Sequence, residues 1–454
     1  MANQDGVSFV GVQCTIGFIS KFNRRKLHAA VELHWPKQLC LFIQTETRIL
    51  MHIYRHISGF VRNNPNSQKK GGCDGDTLRF AAADAMAAGM NIPIAKPWIE
   101  AISAYTPGKA KSDDGRVLIK LSANENPLGC SPDASAALVD KSASLARYPD
   151  PACTALREAL GAAYDVDSDQ IVCGTGSDEL LNLIAMGYAG AGDDIIYVRY
   201  GFSVYDIAAR KAAANVIVAP DKDYGTDVDA LLALVTDKTR VVFVANPNNP
   251  TGTYTDDGEI ARLHAGLPGN CVLVLDQAYG EYLEDDGPAA LELARRHDNV
   301  LITRTFSKIY GLAAERIGWG YGHAGLIATL NRVRAPFNVT AAGQAAAIAA
   351  LADTDFVTRS RQHNAEWRDW MAGEFASLSN HGLKVIPSWG NFLMVLFEGT
   401  CSAETAYHAL MAEGYIVRWL PGQGLGNGLR ITIGTEDENR GIMSALRKIL
   451  DVNA

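Results

Sequence analysis

No run of about eighteen apolar residues occurs in the 454-residue chain, which argues against a membrane-spanning helix. Internal repeats and low-complexity tracts are also missing. The eight cysteines, at 14, 40, 73, 130, 153, 173, 271 and 401, form no CxxC pair. Neither a disulfide framework nor a metal site is therefore expected, and the thiols suit a reducing, cytoplasmic compartment. A secretory signal puts its positive charge ahead of the apolar run. Here the apolar stretch Val7–Ile19 precedes the basic block Lys21–Lys26, so the order is reversed.

Charge is scarce in one sense only. The net charge of −8 combines two unequal parts. Residues 1–89 hold eleven Lys/Arg against six Asp/Glu, and the remainder 31 against 44. So acidic a body is a poor nonspecific binder of nucleic acid. Any anion it binds must be held by a few placed arginines.

The first 89 residues stand apart. Four of the ten histidines and the densest basic block fall there. Residues 47–62 space Ile49, Leu50, Ile53, Tyr54, Ile57, Phe60 and Val61 as one helical face beside Arg48, Arg55 and Arg62. Polar, turn-rich residues 63–75 follow. This amphipathic helix could be a membrane-surface, targeting or DNA-contacting element, but the composition break favours an extension outside the fold, disordered or non-native. A DNA-binding head would need a helix-turn-helix, and no second periodic helix accompanies the first.

From residue 150 the chain alternates. Short β-branched runs at 170–173, 194–198, 215–218, 240–245, 271–276 and 300–305 are separated by helical stretches at 178–189, 204–214, 227–235 and 257–265. Strands this continuously apolar are buried on both faces, which predicts a mostly parallel sheet covered by helices. After residue 340, long helices and strands at 383–386, 391–397, 415–419 and 429–433 suggest a smaller α+β domain. The expected layout is an N-terminal arm at 90–149, a large domain at 150–335 and a small one at 336–454.

Several strand ends carry unusual segments, and ligands of α/β sheets bind at such ends. Gly174-Thr-Gly-Ser-Asp-Glu179 reads equally as a phosphate-binding helix N-terminus or as a plain turn with an N-cap. Asn246-Pro-Asn-Asn-Pro-Thr-Gly252 is a rigid polar loop. Asp276 closes an apolar strand, and a buried carboxylate needs partners. Phe306-Ser-Lys308 follows the strand 300–305, with Arg316 eight residues beyond Lys308.

The order Asn249, Asp276, Tyr279, Lys308, Arg316 resembles fold-type I pyridoxal-phosphate (PLP) aminotransferases, over about residues 90–454. Leu121-Ser-Ala-Asn-Glu-Asn-Pro-Leu-Gly129, Arg147-Tyr-Pro-Asp150, Arg304-Thr-Phe-Ser-Lys308, Pro336-Phe-Asn-Val339, Gly390-Asn-Phe392 and Leu429-Arg-Ile-Thr-Ile-Gly434 are similar to signatures of the histidinol-phosphate aminotransferase family. That resemblance implies an α/β fold whose large domain has a seven-stranded, mostly parallel sheet, pyridoxal 5'-phosphate as cofactor, histidinol phosphate and glutamate/2-oxoglutarate as substrates, and a homodimer.

The resemblance also implies roles. Lys308 would carry the cofactor and move the proton, Asp276 would pair with the ring nitrogen, and Asn249 and Tyr279 would bond the phenolic oxygen. The N–H groups of Ser177 and Asp178, with Ser307 and Arg316, would hold the phosphate, joined by Tyr148 of a partner subunit, and Gly176 and Thr305 would also bind the cofactor. Phe202, rather than Tyr200, would lie over the ring. Arg430, Arg418, Tyr105, Asn124 and Asn391 would meet the substrate. Glu315 stands where the family usually has an apolar residue, and Trp419 could bias the pocket toward aromatic side chains. The rival activities are an aromatic amino acid transaminase and a decarboxylase on the same scaffold.

Because the composition breaks before residue 90, deletion of residues 1–85 should leave turnover and subunit association intact. Activity and sedimentation of the truncated protein check this, and a folded but inactive product would refute it.

Overall fold

The computed structural model describes residues 93–103 and 115–452, apart from 142 and 144. The extension 1–89 and Tyr105 lie outside the described residues. Tertiary contacts divide the chain after Ile94, and the unit beginning at Ala95 carries every element named below.

Seven strands form the main sheet: β1 Ile171–Gly174, β2 Asp194–Val198, β3 Asn215–Ala219, β4 Thr239–Ala245, β5 Val272–Asp276, β6 Val300–Thr305 and β7 Gly318–Gly322. Their spatial order is β1-β7-β6-β5-β4-β2-β3. β7 runs antiparallel to both its neighbours, and the other pairings are parallel. The expected α/β architecture is present. One strand escaped the sequence pattern. Gly318-Trp-Gly-Tyr-Gly322 is not among the β-branched runs, yet it is a fully buried strand.

Alternation explains why both faces are apolar. Ile171, Val242, Val244, Leu273, Leu275, Val300 and Ile302 pack into one core. Val172, Val241, Phe243, Val272, Val274 and Leu301 pack into another. Side chains two apart share a face. Asp276 therefore continues the face of Val272 and Val274 and enters the second core's side of the sheet. Its register partner on β6 is Thr303. Helices α1, Ser177–Tyr188, and α2, Val204–Lys211, pack on that side through Leu180, Ile184, Tyr205 and Ala208.

Arg304 faces the other way. It is wholly buried, donates to Gln277 Oε1 at 2.9 and 3.2 Å, and lies 4.9 Å from the Tyr164 ring centroid. Its carboxylate neighbour is Glu281, at 3.5 Å.

A smaller antiparallel sheet follows: β8 Leu383–Ile386, β9 Phe392–Phe397, β10 Arg418–Leu420 and β11 Leu425–Thr432, in the order β8-β9-β11-β10. Leu393, Val395, Phe397 and Ile431 face helices Thr354–Ser377 and Glu436–Ile449. Ile119–Lys120 pairs in parallel with Tyr415–Ile416, and Leu121 O accepts from Thr432 N at 2.9 Å. Those bonds lead Ser122–Asn124 to the carboxyl end of β5, where Asn124 Nδ2 donates to Tyr279 Oη at 2.8 Å.

Glycine is required where α1 meets β7. A Cβ on Gly318 would land on Ser177 N, and Gly176 has φ +88°. Gly318→Ala should cost about 1–3 kcal/mol or more, because the strand and helix N-terminus have no slack. Urea unfolding reads this directly. An alanine variant of unchanged stability would show that the junction can relax.

Candidate active site

The carboxyl ends of β1, β4, β5 and β6 open on one cavity of about 620 Å³. The loops after these strands carry Ser177, Asn249, Tyr279, Ser307 and Lys308 to its wall, with Arg418 and Arg430 from the smaller sheet. Asn124, Asp178, Phe202, Asp276, Thr305 and Arg316 complete the predicted residues in the lining.

At the floor, Asp276 is 4% exposed. Its Oδ2 accepts from Tyr205 Oη at 2.9 Å and its Oδ1 from Thr303 Oγ1 at 3.3 Å. Burial outweighs these bonds and pushes the carboxyl up to about 6. Lys308 moves in the opposite sense. Burial first, then the positive charge of Arg430, push its amine down to about 7. Its Nζ donates to Ala123 O at 3.1 Å and lies 5.7 Å from the Tyr279 ring centroid. A good part of the amine is therefore uncharged at neutral pH.

Tyr279 accepts from Asn124 Nδ2 at 2.8 Å. Asn124 holds φ +57°, with its N–H on Thr432 Oγ1 at 2.9 Å. Asn391 supports that loop from behind, donating to Asn124 O at 3.0 Å, and does not line the cavity. Arg430 is nearly buried and donates to Asn249 Oδ1 at 2.6 Å and Ser122 O at 2.7 Å.

The phosphate-cradle candidates converge at the start of α1. Arg316 donates to Ser307 Oγ at 3.0 Å and to Asp178 Oδ1 at 3.0 Å. A Cβ on Gly176 would meet Asp178 Oδ1 at 2.4 Å and Arg316 Nη2 at 2.5 Å, and its φ of +88° is one that side-chain-bearing residues rarely adopt, so glycine suits this close approach. Thr305 Oγ1 accepts from Ser307 N at 3.1 Å and donates to Ile317 O at 3.2 Å. Glu315 precedes Arg316 in the chain, its N–H bonded to Leu312 O at 3.1 Å.

Three aromatic residues meet different fates. Phe202 lines the cavity, whereas Tyr200 stacks on Tyr224 at 5.5 Å outside it. Tyr148 is 82% exposed, stacked on Phe337 at 4.5 Å, and does not line its own chain's cavity. Trp419 does not shape the pocket: Arg418 and Leu420 line the cavity, while Trp419 bonds Gly426 O at 2.9 Å and packs near Tyr407. Strand alternation sends its side chain to the opposite face. Sequence reasoning used Tyr205 only as the motif tyrosine that marks Phe202 and did not identify it or Thr303 as the partners Asp276 requires. It also missed Asn182, Ile207 and Lys211 in the lining. Val204, Ile207 and Lys211 share one helical face, a pattern visible only once α2 is known to flank the cavity.

Fold and site together define the class: residues 116–446 match the family pattern of aminotransferase class I and II. More narrowly, the chain belongs to the histidinol-phosphate aminotransferase family. It is 62% identical over 361 residues to the histidinol-phosphate aminotransferase of Sphingopyxis alaskensis, covering 78% of this chain and 97% of that one. The Zymomonas mobilis enzyme of the same name is 56% identical over 358 residues, covering 78% and 96%. Among solved structures, the Sinorhizobium meliloti histidinol-phosphate aminotransferase, determined with pyridoxal-5'-phosphate, superposes with a TM-score of 0.72. Its sequence is 27% identical, over 80% of this chain and 99% of that one.

The raised proton affinity of Asp276 has a stability consequence with a definite sign. Its folded value lies above the unfolded one, so the protonated form is favoured. That stability is fully present below about 4 and is lost as pH rises through about 6. A difference of this size corresponds to about 3 kcal/mol. In cofactor-free protein, Asp276→Asn should therefore raise stability at pH 8 by up to about 3 kcal/mol and by roughly half as much at pH 5. Urea midpoints at the two pH values measure it. A loss of stability at pH 8 would contradict the assigned cause.

Proposed function

We propose that this chain is a transaminase that exchanges an amino group between histidinol phosphate and 2-oxoglutarate, giving imidazole-acetol phosphate and glutamate, with pyridoxal phosphate as cofactor. The residues fit that cofactor by the chemistry of their donors. Asp276, buried and bonded to two hydroxyls, suits a protonated ring nitrogen. The N–H groups at the start of α1, Ser307, Thr305 and Arg316 suit a phosphate. Lys308 would hold the cofactor covalently, Phe202 would flank its ring, and Asn249 and Tyr279 would meet its phenolic oxygen. When bound, the cofactor supplies a ring that withdraws electrons from the substrate Cα.

The protein's own residues then have separable tasks. Lys308 Nζ, uncharged in good part near pH 7, takes the Cα proton of the amino substrate and returns it on the acceptor side. Tyr279, fixed by Asn124, orients its hydroxyl beside the lysine. Arg430 binds the carboxylate of glutamate, for which its planar fork is suited.

One observation carries the phosphate reading. Arg418 and Arg430 are register partners on adjacent antiparallel strands, and both face the cavity. Like charges directly opposite across a sheet are unfavourable. A dianionic phosphate seated between them turns that cost into binding, whereas a monoanionic carboxylate needs only one. With Trp419 outside the cavity, its proposed bias toward aromatic substrates loses its support. We also propose a cytoplasmic homodimer in which the exposed Tyr148 reaches the partner's cofactor phosphate. Among the described residues no helix is long and apolar enough to cross a membrane.

Arg418→Ala should raise KM for histidinol phosphate roughly ten- to a hundredfold more than KM for glutamate, since charge-assisted bonds contribute about 1.5–3 kcal/mol. Arg430→Ala should impair both half-reactions. Steady-state kinetics with each substrate decide, and equal effects of Arg418→Ala on both would exclude the phosphate role. Borohydride should fix the cofactor irreversibly to the wild type and not to Lys308→Ala.

A further inference from the structure

The cofactor-facing carboxylate and the ring-flanking aromatic are both held by one side chain that the assigned site leaves out. Tyr205 lies on α2, is 1% exposed, and has no part in the cavity lining. Its hydroxyl sits 2.9 Å from Asp276 Oδ2. Its ring lies flat against Phe243 on β4, with centroids 4.8 Å apart and planes 3° from parallel. Its edge meets Phe202 at 5.9 Å with the planes at 88°. Phe243 fixes the height of the ring, Phe202 rests on it, and the hydroxyl is left to meet the carboxylate.

We propose that Tyr205 is a positioning residue for this reaction, which orients the Asp276 carboxylate by donating to Oδ2 while bracing Phe202 from behind. The proposal rests on the reading above, in which Asp276 faces the ring nitrogen and Phe202 flanks the ring. The chemistry follows from direction. A phenol that donates to Oδ2 favours the ionised carboxylate and leaves the neighbouring lone pairs to face the cavity. Thr303, on the adjacent strand, holds Oδ1 more loosely at 3.3 Å, so it cannot replace the phenol. Loss of the hydroxyl leaves a buried anion with one hydroxyl partner fewer, whereas loss of packing alone would be blind to the charge of residue 276.

That difference defines the test. Tyr205→Phe keeps both ring contacts and removes the bond. In cofactor-free protein, the drop in melting temperature should be larger at pH 8, where Asp276 is ionised, than at pH 5. A gap of about 3 °C or more is expected for a bond to a charged group. In an Asp276→Asn background the extra loss at pH 8 should vanish. In the holoenzyme, the pH at which the visible absorbance of bound cofactor titrates should move, and the dissociation constant for pyridoxal phosphate should rise about tenfold. A loss that is independent of pH, and equal whether residue 276 is the native aspartate or carries Asp276→Asn, would overturn the proposal. If Tyr205→Phe fails to fold, the double variant with Asp276→Asn decides. Recovery of folding when the charge is removed supports the bond, and continued failure refutes it. The parent reading fails differently: Asp276→Asn alone would then leave cofactor affinity and absorbance unchanged.

Discussion

A carboxylate at the end of an otherwise apolar strand constrains everything around it. Asp276 sits on the same face as Val272 and Val274, so the alternation that builds the core also drives its charge out of water. Burial raises its proton affinity, while the same enclosure and the arginines lower that of Lys308. Left to themselves, both groups would drift toward neutrality. The sheet tolerates them because two apolar layers, one on each face, supply the stability that the site consumes. Pairs of titratable groups pushed in opposite directions by their surroundings are the usual mark of assigned acid and base roles.

Close approach of backbone is the second constraint, and it explains which glycines cannot be replaced. Gly176 and Gly318 let the start of α1, the first residue of β7 and the Arg316 guanidinium occupy one small volume. Gly311, at φ +69°, brings the segment after Lys308 against Gly129 O. The backbone on either side of Ser307 and Lys308 is thereby set by close backbone contacts at Gly318 and Gly311, while Arg316 is held by Ser307 Oγ and Asp178 Oδ1. Positions set in this way cost little further entropy when a ligand binds.

Much of this was legible in the sequence because chemistry and periodicity agreed. Six strands announced themselves as β-branched runs, and residues at the ends of four of them proved to open on one cavity. β7 was not legible, since its glycines serve the packing of α1 and look like turn residues in isolation. Contacts such as Arg430 to Asn249, or Asn124 to Tyr279, join residues 181 and 155 positions apart. No local spacing encodes them. Trp419 is the instructive error, because period-two alternation beside Arg418 already pointed it away from the site. Tyr205 served the sequence reading only as the motif tyrosine that marks Phe202, because its bond to Asp276, 71 positions away, has no local signal.

The two arginines of the smaller sheet show how specificity can reside in register. Arg418 and Arg430 stand opposite one another because β10 and β11 pair in antiparallel fashion, with the irregularity in pairing falling only after Trp419. A shift of one residue would turn Arg418 away from the cavity and bring Trp419 in. The single-cation site that remained would suit a carboxylate, and the aromatic wall would suit an apolar side chain. On the proposed reading, choice between a phosphorylated and an aromatic amino donor would be coupled to strand pairing at one short edge. A bulge placed beyond position 419 leaves that register undisturbed where it sets the charge of the pocket.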